Sequence, residues 1–143
     1  MKTNLAGVFY CMRHEIEQFK KQGYGCLINM SSIIGDRGFS DFGAYAASKG
    51  GVDQLTKSAA LKHGTENIRI NAIAPGFISK TDIARNFKNS ISKDLIKKIQ
   101  NSHVLKRLGT PKEVANVVLF LASAEASFIH GQIVKVDGYF ARG

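Results

Sequence analysis

The chain has 143 residues and a mass of 15.6 kDa, which suits a single domain with one hydrophobic core. Hydrophobic residues make up 44% of it, which excludes a wholly disordered chain, and its longest apolar run, residues 117–122, is too short to span a membrane. The net charge of +9 suits either an anionic partner or a solvated lysine surface. The sequence has neither a zinc-finger spacing nor an interleaving of basic with aromatic residues, so neither signal favours a nucleic-acid partner.

The two cysteines, Cys11 and Cys26, are too few for a disulfide framework and indicate free thiols in a reducing cytoplasm. The four histidines are scattered along the chain and predict no metal site.

Predicted helices alternate with short predicted strands, bounded by glycines and polar residues. In chain order, we expect a helix over residues 4–21, a strand over 26–30, a helix over 44–63, a strand over 68–73, a basic helical segment over 81–100, a helix over 110–122 and a strand over 132–137.

Several helix ends carry specific signals. Gly23 should end the first helix, and Gly64 should end the second, with Ser40 or Asp41 as its N-cap. The last helix begins with Thr110-Pro111-Lys112-Glu113, a capping box with proline at the first helical position. The second helix carries small residues that suit either close association of helices between subunits or packing of this helix onto the sheet: Ala46, Ala47, Ser48, Gly50 and Gly51.

Strands separated by helices of this length pair in parallel, and helices cover both faces of the sheet. The predicted fold class is therefore α/β: a three-layer parallel sheet of about three strands with flanking helices, as one domain over residues 1–143. Open sheets of this kind bind ligands at the carboxyl ends of their strands. Those ends carry Ser31-Ser32 and Ala74-Pro75-Gly76, where functional residues are expected.

Tyr45 and Lys49 are a candidate acid/base pair. They are four residues apart on a helix, so their side chains share one face. A lysine ammonium beside a phenol favours the phenolate and lowers the pKa of the tyrosine, which would let Tyr45 transfer protons. Ser32 could hydrogen-bond the same substrate oxygen, with Ser31 as a structural hydrogen-bonder at the strand end. A lone Tyr-x-x-x-Lys pair also arises where an exposed tyrosine packs on a lysine stem.

Further segments place this pair in a longer pattern. They are Asn4-Leu5, Gly7-Val8-Phe9, Ile28-Asn29-Met30-Ser31-Ser32, Gly35, Ala44 to Lys49, Ile70 to Ile78, Arg107 to Ala115, Phe120 to Ser123, Gly131-Gln132 and Val136-Asp137-Gly138. In this order and spacing, over essentially the whole chain, the sequence closely resembles the compact, single-domain branch of the short-chain dehydrogenase/reductase family. The resemblance implies a doubly wound, Rossmann-like sheet, of which this chain is the carboxyl-terminal part.

The resemblance also implies an oxidoreductase that interconverts a carbonyl and an alcohol with NAD or NADP. Tyr45 matches the catalytic acid/base of the family, and Lys49 matches the residue that lowers its pKa and holds the nicotinamide ribose. Ser32, 13 residues before Tyr45, matches the serine that orients the substrate oxygen. Asn4 matches the asparagine that anchors a water in the proton relay.

The implied cofactor contacts comprise Pro75, Gly76, Ile78 and Thr81, together with the Tyr45–Lys49 pair. Thr81 departs from the pattern, because four residues separate it from Gly76 where the family has three. A larger departure is the absence of the Gly-rich turn that binds the pyrophosphate of a dinucleotide. We therefore expect the carboxyl-terminal part of a dehydrogenase, or alternatively an inactive fragment that serves as an interaction module.

The implied partners are a small carbonyl or alcohol substrate and a second copy of the chain, bound through helices 4–21 and 44–63. The expected location is the cytoplasm, with no nucleic-acid or membrane partner. The substrate and the choice between NAD and NADP are not indicated, because the residue that discriminates the cofactors in the family has no counterpart here.

Overall fold

A three-stranded parallel sheet organises the computed structural model, which describes residues 1–79, 81 and 93–141. Its strands are β1 (Gly25–Met30), β2 (Ile68–Pro75) and β3 (Ile133–Val136), and they lie in the order β1-β2-β3. Both pairings are parallel, with Met30 opposite Ile73 and Ala72 opposite Ile133. The predicted fold class is confirmed.

The described part of the chain contains four helices. They are α1 (Val8–Gln22), which follows a π-helical turn at Lys2–Gly7, α2 (Gly43–His63), α3 (Lys93–Asn101) and α4 (Pro111–Ala122). Short 3-10 turns lie at Ile33–Gly35, Gly64–Glu66 and Ala124–Ala126. Of the predicted helical segment 81–100, residues 82–92 lie outside the described residues. None of the described helices is both long and apolar enough to cross a bilayer.

The N-cap of α2 differs from the prediction. The N-cap is Phe42, which makes no side-chain cap, so the predicted caps Ser40 and Asp41 are wrong. A backbone turn takes their place: the Phe42 N–H donates to the carbonyl of Phe39 at 3.3 Å. At the other end, Gly64 is the C-cap, as predicted. It keeps right-handed helical geometry with φ −61° and starts a 3-10 turn, after which Asn67 adopts the left-handed conformation with φ 54°. Asparagine tolerates this conformation better than most residues.

The ends of α1 and α4 match the prediction. Gly23 ends α1 in the left-handed conformation, with φ 80°. At the start of α4, the Glu113 N–H donates to Thr110 Oγ1 at 3.4 Å, and the Thr110 N–H donates to Glu113 Oε2 at 2.8 Å. The Arg107 guanidinium also donates to Glu113 Oε1 at 2.6 Å, and the hydrogen bonds that Arg107 and Thr110 donate to this carboxyl lower its pKa to about 2.

The hydrophobic core has two parts, one on each face of the sheet. On one face, residues of α1 and α2 pack against β1 and β2; its buried members are Met12, Ile16, Leu27, Ala60, Ile68 and Ile70. On the other face, α4 and the turn after it pack against the sheet; the buried members are Ile73, Val114, Leu121 and Ala126. Because β2 contributes to both parts, the architecture has three layers, as predicted.

The outer edge of β1 pairs with no strand among the described residues. A cavity of about 480 Å³ lies along it, lined by β1 and by one side of α1. Cys11 and Cys26 both line this cavity and both are free thiols. An unpaired edge exposes backbone donors and acceptors that another strand could satisfy.

The turn Ile33–Gly35 packs against α2 through glycines. A Cβ at Gly35 would lie 2.7 Å from Asp53 Oδ2 and 3.0 Å from the carbonyl carbon of Lys49. A Cβ at Gly50 would lie 2.9 Å from the carbonyl oxygen of Gly35, and one at Gly51 would lie 2.7 Å from Leu5 Cδ1. These two small residues of α2 therefore admit neighbouring segments of the same chain.

We predict that Gly35→Ala lowers the free energy of unfolding by about 1–3 kcal/mol, because the backbone of α2 cannot yield to the added methyl group. Urea denaturation followed by circular dichroism measures this loss. The matched control is Gly38→Ala, where a Cβ meets no atom within 4 Å and stability should stay nearly unchanged. Equal denaturation midpoints for the two variants would contradict the close packing of Gly35.

Candidate active site

Tyr45 and Lys49 lie near the start of α2, beside the carboxyl end of β1. Lys49 Nζ donates a hydrogen bond of 2.8 Å to the carbonyl oxygen of Met30, the last residue of β1. The same nitrogen lies 5.8 Å from the centroid of the Tyr45 ring. Both side chains are half-buried. The helical spacing therefore brings the two groups together as predicted, and their roles in catalysis stay predictions.

Burial and charge act on Lys49 in opposite directions. Desolvation is the larger effect and lowers the pKa of Lys49, while the Asp53 carboxylate, one helical turn later, raises it. The net direction is downward. The protonation of Lys49 therefore depends on the balance between its burial and the charge of Asp53.

The two serines after β1 have different positions. Ser31 is buried; its N–H donates to the carbonyl of Ile73 at 2.8 Å, and its hydroxyl lies 3.3 Å from the carbonyl oxygen of Lys49. It is a strand-end hydrogen-bonder, as predicted. Ser32 Oγ accepts a hydrogen bond of 3.4 Å from the Ile34 N–H. This contact uses the oxygen of Ser32 as an acceptor and leaves its hydroxyl proton free for another group.

Asn4 lies in the π-helical turn that precedes α1 and is half-buried. Its neighbour Leu5 packs against Gly51 of α2, two residues after Lys49. The turn that carries Asn4 therefore contacts the same helix as the acid/base pair. The role of Asn4 in a proton relay stays a prediction.

Pro75 and Gly76 lie at the carboxyl end of β2. The Gly76 N–H donates to the carbonyl of Val136 at 3.0 Å, which extends the pairing with β3 by one bond. A Cβ at Gly76 would lie 2.9 Å from the Cβ of Asp137, so the two chain segments approach closely. These residues share the carboxyl edge of the sheet with Ser31 and Ser32.

The loop after Gly76 is held by Gly109. The Gly109 N–H donates to the carbonyl of Phe77 at 2.9 Å, and the Ser79 N–H donates to the carbonyl of Gly109 at 2.8 Å. The side chain of Ile78 contacts Gly109 and the core on the α4 face of the sheet. Thr81 Oγ1 donates to the Ile78 carbonyl at 3.3 Å. The cofactor contacts assigned to Ile78 and Thr81 stay predictions.

An aromatic cluster at the same edge was missed in the sequence. Phe140 lies at its centre, with its ring centroid 5.8 Å from that of Phe39, 5.5 Å from Phe77 and 5.0 Å from His103. The cluster joins the loops that follow β1, β2 and β3 to the residues after α3. Its members are far apart in the sequence, so no local pattern indicated it.

Two places among the described residues can be compared with the parts of a dinucleotide: the carboxyl edge near Lys49 suits a ribose, and the N-terminus of α4 does not suit the pyrophosphate. Lys49 presents an ammonium at the carboxyl edge, where a ribose hydroxyl could accept a hydrogen bond. The N-terminus of α4 is unsuited to a pyrophosphate, because the Glu113 carboxylate already occupies it. Among the described residues no cluster of three or more His, Cys, Asp or Glu side chains suits a metal ion.

Comparisons with known proteins identify relatives of this chain. A sequence profile described as Enoyl-(Acyl carrier protein) reductase matches residues 1–140. The chain is 41% identical over 138 residues to the cyclohexanol dehydrogenase of Acinetobacter sp. (strain SE19), a match that covers 96% of this chain and 52% of that protein.

Two solved structures are also similar. One, "ElxO with NADP Bound", has a TM-score of 0.84 and 34% identity, covering 94% of this chain and 54% of the other. The other, "4-hydroxyisoleucine dehydrogenase mutant complexed with NADH and succinate", has a TM-score of 0.90 and 30% identity, covering 98% and 57%. The chain thus spans about half the length of the relatives it matches. Its profile match, its parallel sheet and its similarity to dehydrogenases show that it belongs to the short-chain dehydrogenase/reductase family.

Proposed function

We propose that this chain forms the acid/base half of an NAD(P)-dependent oxidoreductase that interconverts a carbonyl and an alcohol. The observation that carries the proposal is the geometry of Lys49, which is anchored to Met30 and lies 5.8 Å from the Tyr45 ring at the carboxyl edge of the sheet. The names of the relatives support an oxidoreductase. Their structures hold either NADP or NADH, so the proposal includes both cofactors.

In the proposed reaction, the Tyr45 hydroxyl donates a proton to the carbonyl oxygen during reduction and takes it back during oxidation. The Lys49 ammonium stabilises the phenolate that remains. The Ser32 hydroxyl, whose proton is free, donates a second hydrogen bond to the same substrate oxygen. When bound, the nicotinamide cofactor supplies hydride for reduction and accepts it in the reverse direction.

The hydrogen bond to Met30 orients Lys49 for this role. An ammonium has three N–H donors, and the Met30 carbonyl takes one of them. The remaining two can reach towards the Tyr45 oxygen and towards a ribose hydroxyl of the cofactor.

The competing proposal is an inactive fragment that serves as an interaction module. The unpaired edge of β1 and the absence of a pyrophosphate site among the described residues favour it for the isolated chain. A chimera separates the two proposals. In it, the amino-terminal half of the Acinetobacter cyclohexanol dehydrogenase is fused ahead of residue 1, and oxidation of cyclohexanol is measured with NAD and with NADP.

We predict that Tyr45→Phe lowers the turnover of this chimera by about 100-fold or more, because the general acid/base is lost. Tyr24→Phe, at an exposed tyrosine just after α1, is the control and should keep the parent turnover. Circular dichroism confirms that both variants fold. Parent turnover in Tyr45→Phe would exclude Tyr45 from the reaction.

In the same chimera, Lys49→Met should lower turnover and move the pH optimum upward, because the phenolate loses its nearby positive charge. Lys62→Met removes an exposed lysine near the end of α2 and should leave the profile in place. An identical pH profile for Lys49→Met would show that Lys49 does not act on Tyr45.

We predict that the 143-residue chain alone neither binds NADPH tightly nor catalyses turnover. The isolated chain would keep its contacts with the cofactor near Lys49 and Gly76 but would supply no site for the pyrophosphate of the cofactor. Titration with NADPH, followed by fluorescence and by calorimetry, measures the affinity, and the active chimera is the positive control. A micromolar dissociation constant together with reductase activity would contradict this prediction.

We also propose that two copies associate through α1 and α2, where Phe9 and Tyr10 expose aromatic rings on α1. Sedimentation should show a dimer at micromolar concentration, which Tyr10→Glu weakens by burying a charge in the interface. Tyr24→Glu is the matched control, since Tyr24 and Tyr10 are 63% and 57% exposed. A folded parent chain that sediments as a monomer would refute this interface.

A further inference from the structure

Asp53 is a buried acidic residue to which the proposed mechanism gives no role. It is the sole acidic residue within α2 and lies one helical turn after Lys49, with only 6% of its surface exposed. Its Oδ1 atom is fully buried and has no hydrogen-bond partner among the described residues. Its Oδ2 atom lies against Gly35 of the turn that follows Ser32. Because a buried, partly unpaired carboxylate costs stability, Asp53 is a poor choice for packing alone.

The charged and polar groups that face Asp53 come from three elements and a turn. They are Lys49 and Lys57 of α2, Ser31 after β1, Asp36 after the Ile33–Gly35 turn, and Lys135 of β3. Burial raises the pKa of Asp53, and the hydrogen bond from Ser31 is the largest effect that opposes it. Lys57 and Lys135 also oppose the effect of burial, Asp36 adds to it, and the net direction of the Asp53 pKa is upward.

The Asp53 carboxylate acts on Lys49. Desolvation lowers the pKa of Lys49, and the Asp53 carboxylate is the group that opposes this effect. The Ser31 hydroxyl lies beside both residues: it is 3.3 Å from the Lys49 carbonyl oxygen and close enough to the Asp53 carboxylate to affect its pKa, and its single proton is available to either acceptor. A negative charge at Asp53 therefore favours the ammonium form of Lys49.

We propose that Asp53 is a positioning residue for Lys49: its buried carboxylate keeps the lysine protonated and, through Ser31 and Gly35, holds α2 against the turn that carries Ser32. Its consequence for catalysis rests on the proposed function, because only a protonated Lys49 can stabilise the Tyr45 phenolate. Without the Asp53 charge, desolvation is unopposed and Lys49 loses its proton at a lower pH.

The test follows the titration of Lys49 directly in the 143-residue chain. Lysine Cε is labelled with carbon-13, the Lys49 signal is assigned with Lys49→Arg, and its pH midpoint is measured by NMR. In Asp53→Asn, we expect the acid-dissociation constant of Lys49 to rise roughly threefold or more. Asp53→Glu, which keeps the charge, should restore most of the parent midpoint.

Glu125→Gln is the matched control, because it removes an exposed carboxylate from the turn at the amino ends of the strands. It should leave the Lys49 midpoint unchanged. The parent midpoint in a folded Asp53→Asn chain would overturn the proposal, since a purely structural Asp53 would change stability without changing this titration.

The unmodified chain provides a second measurement if Asp53→Asn does not fold. When Asp53 gains a proton at acid pH, the Lys49 Cε signal should show a small inflection at the same midpoint as the Asp53 carboxyl carbon. No such inflection would overturn the proposal without any variant.

In the active chimera, Asp53→Asn should lose turnover at an alkaline pH where the parent and Glu125→Gln remain active. A pH profile identical to that of the parent would overturn the catalytic consequence. An inactive parent chimera would instead count against the proposed function, and the NMR titration would still decide whether Asp53 keeps Lys49 protonated.

Discussion

The burial of β2 on both faces is the constraint on which the rest of the structure depends. A strand flanked by two parallel neighbours and covered on both faces needs helices on each side, and α1, α2 and α4 provide them. Its polar side chains bond the segments that lead to β3: Arg69 donates to the carbonyls of Leu121, Ser123 and Ala126, and Asn71 donates to that of Ile129. Because all three strands run in one direction, their carboxyl ends share one edge, where the candidate site lies.

Close approach of the backbone at glycines brings α2 to that edge. Gly35 and Gly50 let the turn after β1 contact the helix backbone, and Lys49 then bonds the carbonyl of Met30. The same packing buries Asp53 and half-buries Lys49, so their charges interact in a medium of lower polarity than water. The packing of α2 against the turn after β1 therefore also determines the electrostatics of the site.

Local patterns predicted much of the fold. The three strands were found within two residues of their observed ends, because short apolar runs between glycines and polar residues have few other structures available. The capping box of α4 is equally local. The start of α2 was found within one residue, but its N-cap was missed because a backbone turn at Phe39–Phe42, beside the aromatic cluster, takes the place of a capping side chain.

The sequence by itself determined the alternation of helix and strand and the helical face that Tyr45 and Lys49 share, because both depend on residues within a few positions of each other. Only the tertiary structure decided that Lys49 bonds Met30 and that Asp53 is buried against Gly35. The bond to Met30 spans 19 residues, and the contact of Asp53 with Gly35 spans a similar distance in the chain. Contacts of this range arise when a helix packs onto a sheet, and no local spacing encodes the depth to which each side chain is then buried.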